Sequence, residues 1–352
     1  MAASPIPIRN VYYLFLYAWD RFPEGQQVEV GTEESPDIVH LLAEVLRNGI
    51  RRLIRRGLDR GYQEHEEELK APRGRARLTP SIAQGTLLRQ RLVCAYDELT
   101  PDILTNRILK AAMRLLVDKG GLEPTLANDL RALSRRFMGV GEIALSGGLF
   151  RLVQLSRHNG HYDLLLRVSE LALEILQPEQ GGAGSKFASV LENETRMSAV
   201  FELFVRNFLK REQTAYKVSS EYLDWDAGEL DARHSAYLPT MRTDVVLRSG
   251  AETIVIDAKF YKDTFVRHHG GPLKVRSAHL YQLLTYLDHA WRADPRGRPV
   301  RGLLLYPSVD GQETRLDYAL GGRQVCIATV DLARPWQHVH EAMLRVVEPA
   351  LV

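Results

Sequence analysis

Hydrophobic positions in this chain recur at helical spacing through most of its first half and shift to short strand-like runs in its second. Between Pro36 and Leu58, the residues Val39, Leu42, Leu46, Ile50, Leu53 and Ile54 recur at near-heptad spacing. This predicts an amphipathic helix with Arg47, Arg51, Arg52, Arg55 and Arg56 on its basic face. The aromatic-rich patch Val11 to Trp19 reads as a helix packed into a core. Another helix is expected from Tyr96 to Val117, with Thr100 as N-cap, Pro101 at the first helical position, and Ile103, Leu104, Ile108, Leu109 and Met113 as its apolar series. Further helical patterns run from Leu122 to Phe137 and from Tyr162 to Leu176. Two strands, Gln63 to Leu69 and Leu88 to Tyr96, interrupt this series. The segment between them, Lys70 to Ile82, combines Pro72, Gly74 and Pro80 with Arg73, Arg75 and Arg77 and reads as a projecting loop or hairpin tip.

The Gly-rich stretch Pro178 to Ser185 then separates the halves as a linker. Beyond it, Met197 to Leu209 is a helical pattern with Val200, Phe201, Phe204, Val205 and Phe208 on one side. Thr243 to Leu247 and Thr253 to Phe260 are two apolar runs joined by Ser249 and Gly250, which predicts a β-hairpin. His279 to Ala290 is again helical, and Gly302 to Pro307 reads as a buried strand. The expected architecture is a mainly helical region, residues 1–185, with a small β projection, followed by an α/β domain, residues 186–352.

The hairpin carries the densest chemistry. Side chains alternate faces along a strand, so Asp257 and Lys259 point the same way, and a hairpin partner can bring Asp244 beside them. Asp257 ends the apolar run Ile254, Val255, Ile256, where a lone carboxylate is costly unless it is paired or binds a metal. Phosphodiester hydrolysis needs a nucleophilic water and stabilisation of charge growing on phosphate oxygens, and a carboxylate-held Mg²⁺ supplies both. The backbone carbonyl of Ala258 would add a ligand. Lys259 would act on the attacking water or neutralise the transition state, and the pattern leaves both roles open. Glu202, on the margin of its helix, is either a third metal ligand or a solvated carboxylate. Gln282 and Tyr286 lie one turn apart on a helix face, and Gln282 would orient water or DNA.

Composition changes this picture little. The chain has 352 residues, 45% of them hydrophobic and 26% charged, the profile of a globular protein large enough for two domains. Lys and Arg number 46 against 44 Asp and Glu, so a nucleic-acid surface has to come from local clustering. Cys94 and Cys326 are far apart and lack metal-site spacing, which fits a reducing cytoplasm. No apolar run is long enough to span a bilayer, and no export signal is expected. GGAGSK, around Gly184, departs from the phosphate-binding loop pattern, so GTP or ATP would be bound by a partner. His268 and His269 read as part of a surface loop, and His338 and His340, with Trp336, as part of a C-terminal packing helix.

Helix, hairpin with D…DAK and helix with QxxxY is an order that resembles the PD-(D/E)xK nuclease superfamily, except that Thr243 stands where its proline would precede Asp244. A second resemblance covers nearly the whole chain. The segments IPIRNVYYLFLYAWD (Ile6 to Asp20), YDELTPDILTNRILK (Tyr96 to Lys110) and GLLLYPSVD (Gly302 to Asp310), with the hairpin, resemble the McrC family of modification-dependent restriction systems. That resemblance implies a Mg²⁺-dependent nuclease subunit with Asp244, Asp257, Lys259, Glu202 and Gln282 at its site. It further implies an McrB-like hexameric AAA+ partner that binds GTP, whose GTPase this chain stimulates, and cleavage of double-stranded DNA at methylated sites. It also implies a stalk in the N-terminal half, and the RGR element at Arg73 and Arg75 is the expected tip. Cutting both strands would call for two nuclease sites and hence dimerisation. Two other readings remain open at this level: a non-catalytic plug of an AAA+ ring, and an autonomous repair nuclease.

Overall fold

The computed structural model describes residues 6–23, 37–156, 159–177, 194–225, 237–260, 265–267, 273–294, 297–309 and 313–348. The expected linker at 178–185 and the histidines His268 and His269 lie outside these. The chain forms two compact units, one made mostly of residues 35–180 and the other of residues 1–26 with 181–352.

The division near residue 180 lies close to the expected boundary, but the amino-terminal segment departs from the expectation of a single region 1–185. Helix α1 (Ile8–Ala18) packs in the second unit. The reason is aromatic: Tyr17 stacks on Phe22 with ring centroids 4.0 Å apart and meets Phe204, Phe208 and Trp336 at 5.8, 5.1 and 5.8 Å. Tyr17 also donates to Glu212 at 2.7 Å, and Asn10 donates to the carbonyls of Leu332 and Arg334 at 2.8 and 2.7 Å. Each buried large side chain of this kind stabilises by about 1.5–3 kcal/mol.

The helical unit begins with α2 (Ile38–Arg56), capped by Asp37, whose carboxylate accepts from the His40 N–H at 2.9 Å. Strand β1 (Gly61–Leu69) pairs antiparallel with β3 (Leu92–Thr100) along its whole length, and the short β2 (Arg75–Ala76) joins the other edge of β3, followed by α3 (Leu78–Ala83). The expected helix start at Thr100 and Pro101 is displaced. Thr100 is held in the ladder opposite Gly61, so helix α4 (Leu104–Lys119) begins only after a turn in which the Ile103 N–H donates to the Pro101 carbonyl. α5 (Pro124–Arg135), α6 (Gly147–Leu152) and α7 (Asp163–Leu176) complete the bundle, in which α7 packs on α2 and α4.

The basic segment between β1 and β3 is not the tip expected of it. The Arg73 guanidinium lies over the Tyr96 ring, 4.2 Å from its centroid, and Arg75 enters β2 opposite Ala95, set back from the end of the ladder at Leu69 and Leu92. Gly74, at φ +68°, permits this crossing: a Cβ there would sit 2.5 Å from the Ala95 carbonyl oxygen. The outer end of the projection consists of α3 and the 3-10 turn Thr86–Arg89, which expose Leu78, Ile82, Leu87 and Leu88.

The second unit is built on a six-stranded mixed sheet. From α8 (Glu194–Glu212) the chain runs through β4 (Lys217–Ser219), the small pair β5 (Tyr222–Leu223) and β6 (Met241–Arg242), then β7 (Val245–Arg248) and β8 (Thr253–Ala258). The pair β9 (Phe265–Arg267) and β10 (Leu273–Val275) leads to α9 (Ser277–Arg292), β11 (Val300–Ser308), β12 (Arg315–Leu320), β13 (Arg323–Asp331) and α10 (Trp336–Arg345). The sheet order is β12-β13-β11-β8-β7-β4, with β11 parallel to both β8 and β13. The central strands are buried on both faces, as their unbroken apolar runs require. Val255, Leu304, Tyr306, Val325 and Ile327 pack beneath Leu283, Tyr286 and Leu287 of α9. Among the described residues no helix is long and apolar enough to cross a membrane.

Candidate active site

Register assembles the site. The β7–β8 turn is held by Ser249, whose N–H donates to the Glu252 carbonyl at 3.0 Å and whose Oγ accepts from the Ala251 and Glu252 N–H groups at 3.2 and 3.1 Å. Arg298 adds a bond to the Ser249 carbonyl at 2.8 Å, and Arg301 binds the Glu252 carboxylate at 2.9 Å. So fixed, the ladder pairs Val245 with Ile256. Continued by one residue, it sets Asp244 opposite Asp257. The Asp244 Oδ2 accepts from the Ala258 N–H at 2.9 Å, and the Lys259 N–H reaches the Leu305 carbonyl at 2.9 Å, carrying β8 past its last paired residue. Residues opposite each other in register share a face, so Asp244, Asp257 and Lys259 all lie on the α9 side of the sheet, with Val255 and Leu304.

Asp257 is fully buried; its Oδ1 meets the Lys259 ammonium at 3.0 Å, and its Oδ2 receives no hydrogen bond within the protein. Burial pushes its pKa up to about 7, against the pull of Lys259 and with the help of the Asp244 charge. Burial likewise raises Asp244, with Lys259 opposing. Lys259 loses solvation too, but the two carboxylates more than offset that and hold it as a cation. A buried carboxylate with one oxygen lacking any donor is an expensive arrangement, and a divalent cation there would relieve it. The hard oxygen donors of Asp244 and Asp257 fit Mg²⁺.

Glu202 lies at the margin of this pocket. Burial raises its pKa, with the Asp244 charge acting the same way. Its Oε1 is met by Arg206 at 3.6 Å and Arg242 at 3.8 Å. Among the described residues no three His, Cys, Asp or Glu side chains converge closely enough to cage an ion by themselves. The pocket is therefore a two-carboxylate site with a third carboxylate beside it, itself held by arginines.

Gln282 donates to the Tyr286 hydroxyl at 2.8 Å, which in turn donates to the Arg242 carbonyl at 3.1 Å just ahead of Asp244. This ties α9 to the strand that carries the first carboxylate. Gly302 lets α9 approach the sheet, since a Cβ there would meet Leu283 Cδ2 at 2.8 Å and Leu287 Cδ1 at 2.9 Å. The sequence reading passed over His279, whose Nδ1 is 2.9 Å from the Tyr306 hydroxyl and whose pKa is pushed down to about 4 by burial and by the Lys259 and Arg276 charges. Its signal was its spacing, one turn ahead of Gln282 and two ahead of Tyr286 on one helix face. Arg73 and Arg75, the expected partner contacts, belong to the other unit. His340, expected in a C-terminal packing helix, binds Glu212 at 3.2 Å and packs on Phe208.

Comparison with known proteins identifies the family. Residues 11–307 match the family model described as McrBC 5-methylcytosine restriction system component. The chain is 30% identical, over all 352 residues and the full length of both proteins, to the type IV methyl-directed restriction enzyme EcoKMcrBC of Escherichia coli K12. Among solved structures it resembles a refined half-complex of Thermococcus gammatolerans McrB AAA+ hexamers with bound McrC, with TM-score 0.55 and 16% identity, covering 96% of this chain and 77% of that one. A second, the Thermococcus gammatolerans McrBC complex, aligns with TM-score 0.44 over 60% of each chain at 20% identity. On the family match and the full-length identity, this chain belongs to the McrC family of McrBC restriction-system components.

Proposed function

We propose that the second unit is a PD-(D/E)xK-type nuclease and that the chain is the DNA-cleaving subunit of a GTP-driven, methylation-dependent restriction complex. The observation that carries this reading is Asp257, a fully buried carboxylate whose Oδ1 meets the Lys259 ammonium at 3.0 Å and whose Oδ2 has no donor, beside Asp244. Asp244 and Asp257 would hold a Mg²⁺ ion, with Glu202 bordering the same pocket. Bound there, the ion would supply Lewis-acid stabilisation and a water of lowered pKa.

The chain's own residues have separable tasks. Lys259, cationic and aimed at Asp257, places positive charge where the phosphate acquires negative charge. Gln282 donates to Tyr286, whose hydroxyl reaches the Arg242 carbonyl, and would orient water or DNA. The α9 helix and the sheet core exclude bulk water from beneath the carboxylates, which strengthens every charge interaction in the pocket. The partner would be an McrB-like AAA+ ring that hydrolyses GTP; the similar solved complex holds McrB AAA+ hexamers with bound McrC. It would be engaged by the helical unit, with Arg73 and Arg75 on the flank of the projection and the exposed leucines at its end. GTP would be bound by that partner, and two copies of the site would be needed to cut both strands.

Asp244→Ala in the reconstituted complex tests the reading. DNA cleavage should be lost while GTPase stimulation is retained. Unchanged cleavage would place the chemistry elsewhere and leave this chain as a regulator of the ring.

A further inference from the structure

Three carboxylates, Asp244, Asp257 and Glu202, face one another's fields in this pocket, a forbidding surface for a DNA backbone. The whole chain, at net charge +2, supplies no compensating field. Compensation is local: Lys259 stands on the hairpin, and Arg206 and Arg242 stand on either side of Glu202.

The two arginines have a particular geometry. Arg206 follows Glu202 by one helical turn on α8, and Arg242 comes from β6, two residues ahead of Asp244. Both guanidinia approach the same oxygen, Glu202 Oε1, at 3.6 and 3.8 Å. At those separations they are ion pairs longer than hydrogen bonds, so Glu202 aligns the two cations without taking up their N–H groups at close range. A contribution to folding explains little of the outer pair: Arg242 has half of its side chain exposed, its Nε donates to Ser220 Oγ at 3.3 Å, and ion pairs that open to water add about 0–1 kcal/mol. Arg206, 18% exposed, is the inner and more buried of the two. A planar guanidinium is suited instead to bidentate contact with phosphate oxygens.

We propose that Arg206 and Arg242, aligned by Glu202, form a phosphate-binding subsite for the DNA backbone at the mouth of the carboxylate pocket. The proposal rests on the nuclease reading above for the identity of the ligand. Glu202 is thereby a positioning residue: its charge sets the two guanidinia beside Asp244, where a phosphodiester on its way to the carboxylates meets two cations first.

The test measures binding of the full-length chain to a labelled duplex in EDTA, between about 50 and 200 mM salt, so that cleavage does not enter. Each lost phosphate contact should lower the slope of log affinity against log salt by about 0.9. Arg206→Ala with Arg242→Ala should therefore flatten the slope by nearly twice that and weaken binding at least about tenfold at low salt. Arg206→Lys with Arg242→Lys keeps the charges and should hold the slope, while lowering the cleavage rate of the reconstituted complex because the bidentate fork is gone. If the alanine chain melts early, Arg242→Gln alone, at the more exposed position, should still remove about one contact. Wild-type affinity and slope in the double alanine or single glutamine variant, or wild-type binding that is insensitive to salt, would overturn the subsite. Asp257→Asn serves as the control that separates the two readings. Loss of cleavage with an unchanged binding slope upholds the nuclease whatever the arginines do, whereas retained cleavage removes the nuclease reading itself.

Discussion

At the scale of single residues, the account turns on a carboxylate in the wrong solvent. Asp257 has its pKa raised from an ordinary carboxylate value to about 7, so the folded protein binds its proton more tightly than the unfolded chain does. For a group shifted in that direction, the associated stability is fully present below about pH 4 and is lost as pH rises through about 7. Asp257→Asn should therefore melt above wild type at pH 8, by about 5 °C, with the gap closing toward pH 5. Addition of Mg²⁺ at pH 8 should raise the melting temperature of wild type and leave the variant where it is. An equal gap at both pH values would contradict the burial argument. Lys259→Ala should cost at least about a hundredfold in cleavage rate with duplex binding nearly retained, since a charge aimed at the developing phosphate acts mainly in the transition state.

Asp244, Asp257 and Lys259 were legible in the sequence because strand alternation fixes which of them share a face. Glu202 stayed open in the sequence between a metal ligand and a solvated carboxylate, and its contact with Arg242 was not legible, since Arg242 comes from a strand of only two residues. His279 shares one helical stripe with Gln282 and Tyr286, but its partner Tyr306 lies 27 residues away in sequence and leaves no local signal of the bond.

Elements explain why these residues meet. The turn at Ser249 to Glu252 sets the hairpin register, and a slip of one residue would turn Asp257 to the opposite face. Gly302 sets the depth of α9 over the sheet. Gly302→Val should cost about 1–3 kcal/mol by overpacking Leu283 and Leu287, and should lower the cleavage rate by moving Gln282 away from the hairpin. Urea unfolding together with single-turnover cleavage would check both effects. Gly74→Ala should act elsewhere. A side chain forced to φ +68° against the Ala95 carbonyl would disturb the crossing of the Arg73 to Arg75 segment, and the expected result is weakened GTPase stimulation of the partner with the melting transition of the carboxylate-bearing unit unchanged.

Helices with strong apolar periodicity were found close to their expected bounds: α2 spans Ile38–Arg56 and α8 spans Glu194–Glu212. Strand ends were less legible, because β3 continues to Thr100 only by virtue of its pairing with β1. The β12–β13 hairpin went unread, although Gly321 and Gly322, at φ +57° and +76°, are the two-glycine turn signal between its alternating runs.

On the scale of the whole molecule, the chain begins and ends in the same unit. Nothing local in the sequence says that α1 belongs with a sheet formed from residues after 194. Its rings find Phe204, Phe208 and Trp336, and that long-range match is invisible to periodicity. A fragment beginning at residue 186 should therefore expose an aromatic surface and aggregate. Supplying residues 1–26 in the same polypeptide should restore a cooperative melting transition. A well-folded monomeric fragment without α1 would show that this packing is dispensable. The arrangement also separates tasks: the unit that bears the β projection is distinct from the unit that bears the carboxylates, so variants in one should spare the activity of the other.

The most direct measurement is cleavage of methylated plasmid by the chain reconstituted with an McrB-like partner, GTP and Mg²⁺, comparing wild type with Asp257→Asn while GTP hydrolysis is followed in the same tubes. The account predicts that wild type linearises the plasmid and that the variant hydrolyses GTP at the wild-type rate without cutting either strand. Cutting by the variant at the wild-type rate would contradict it.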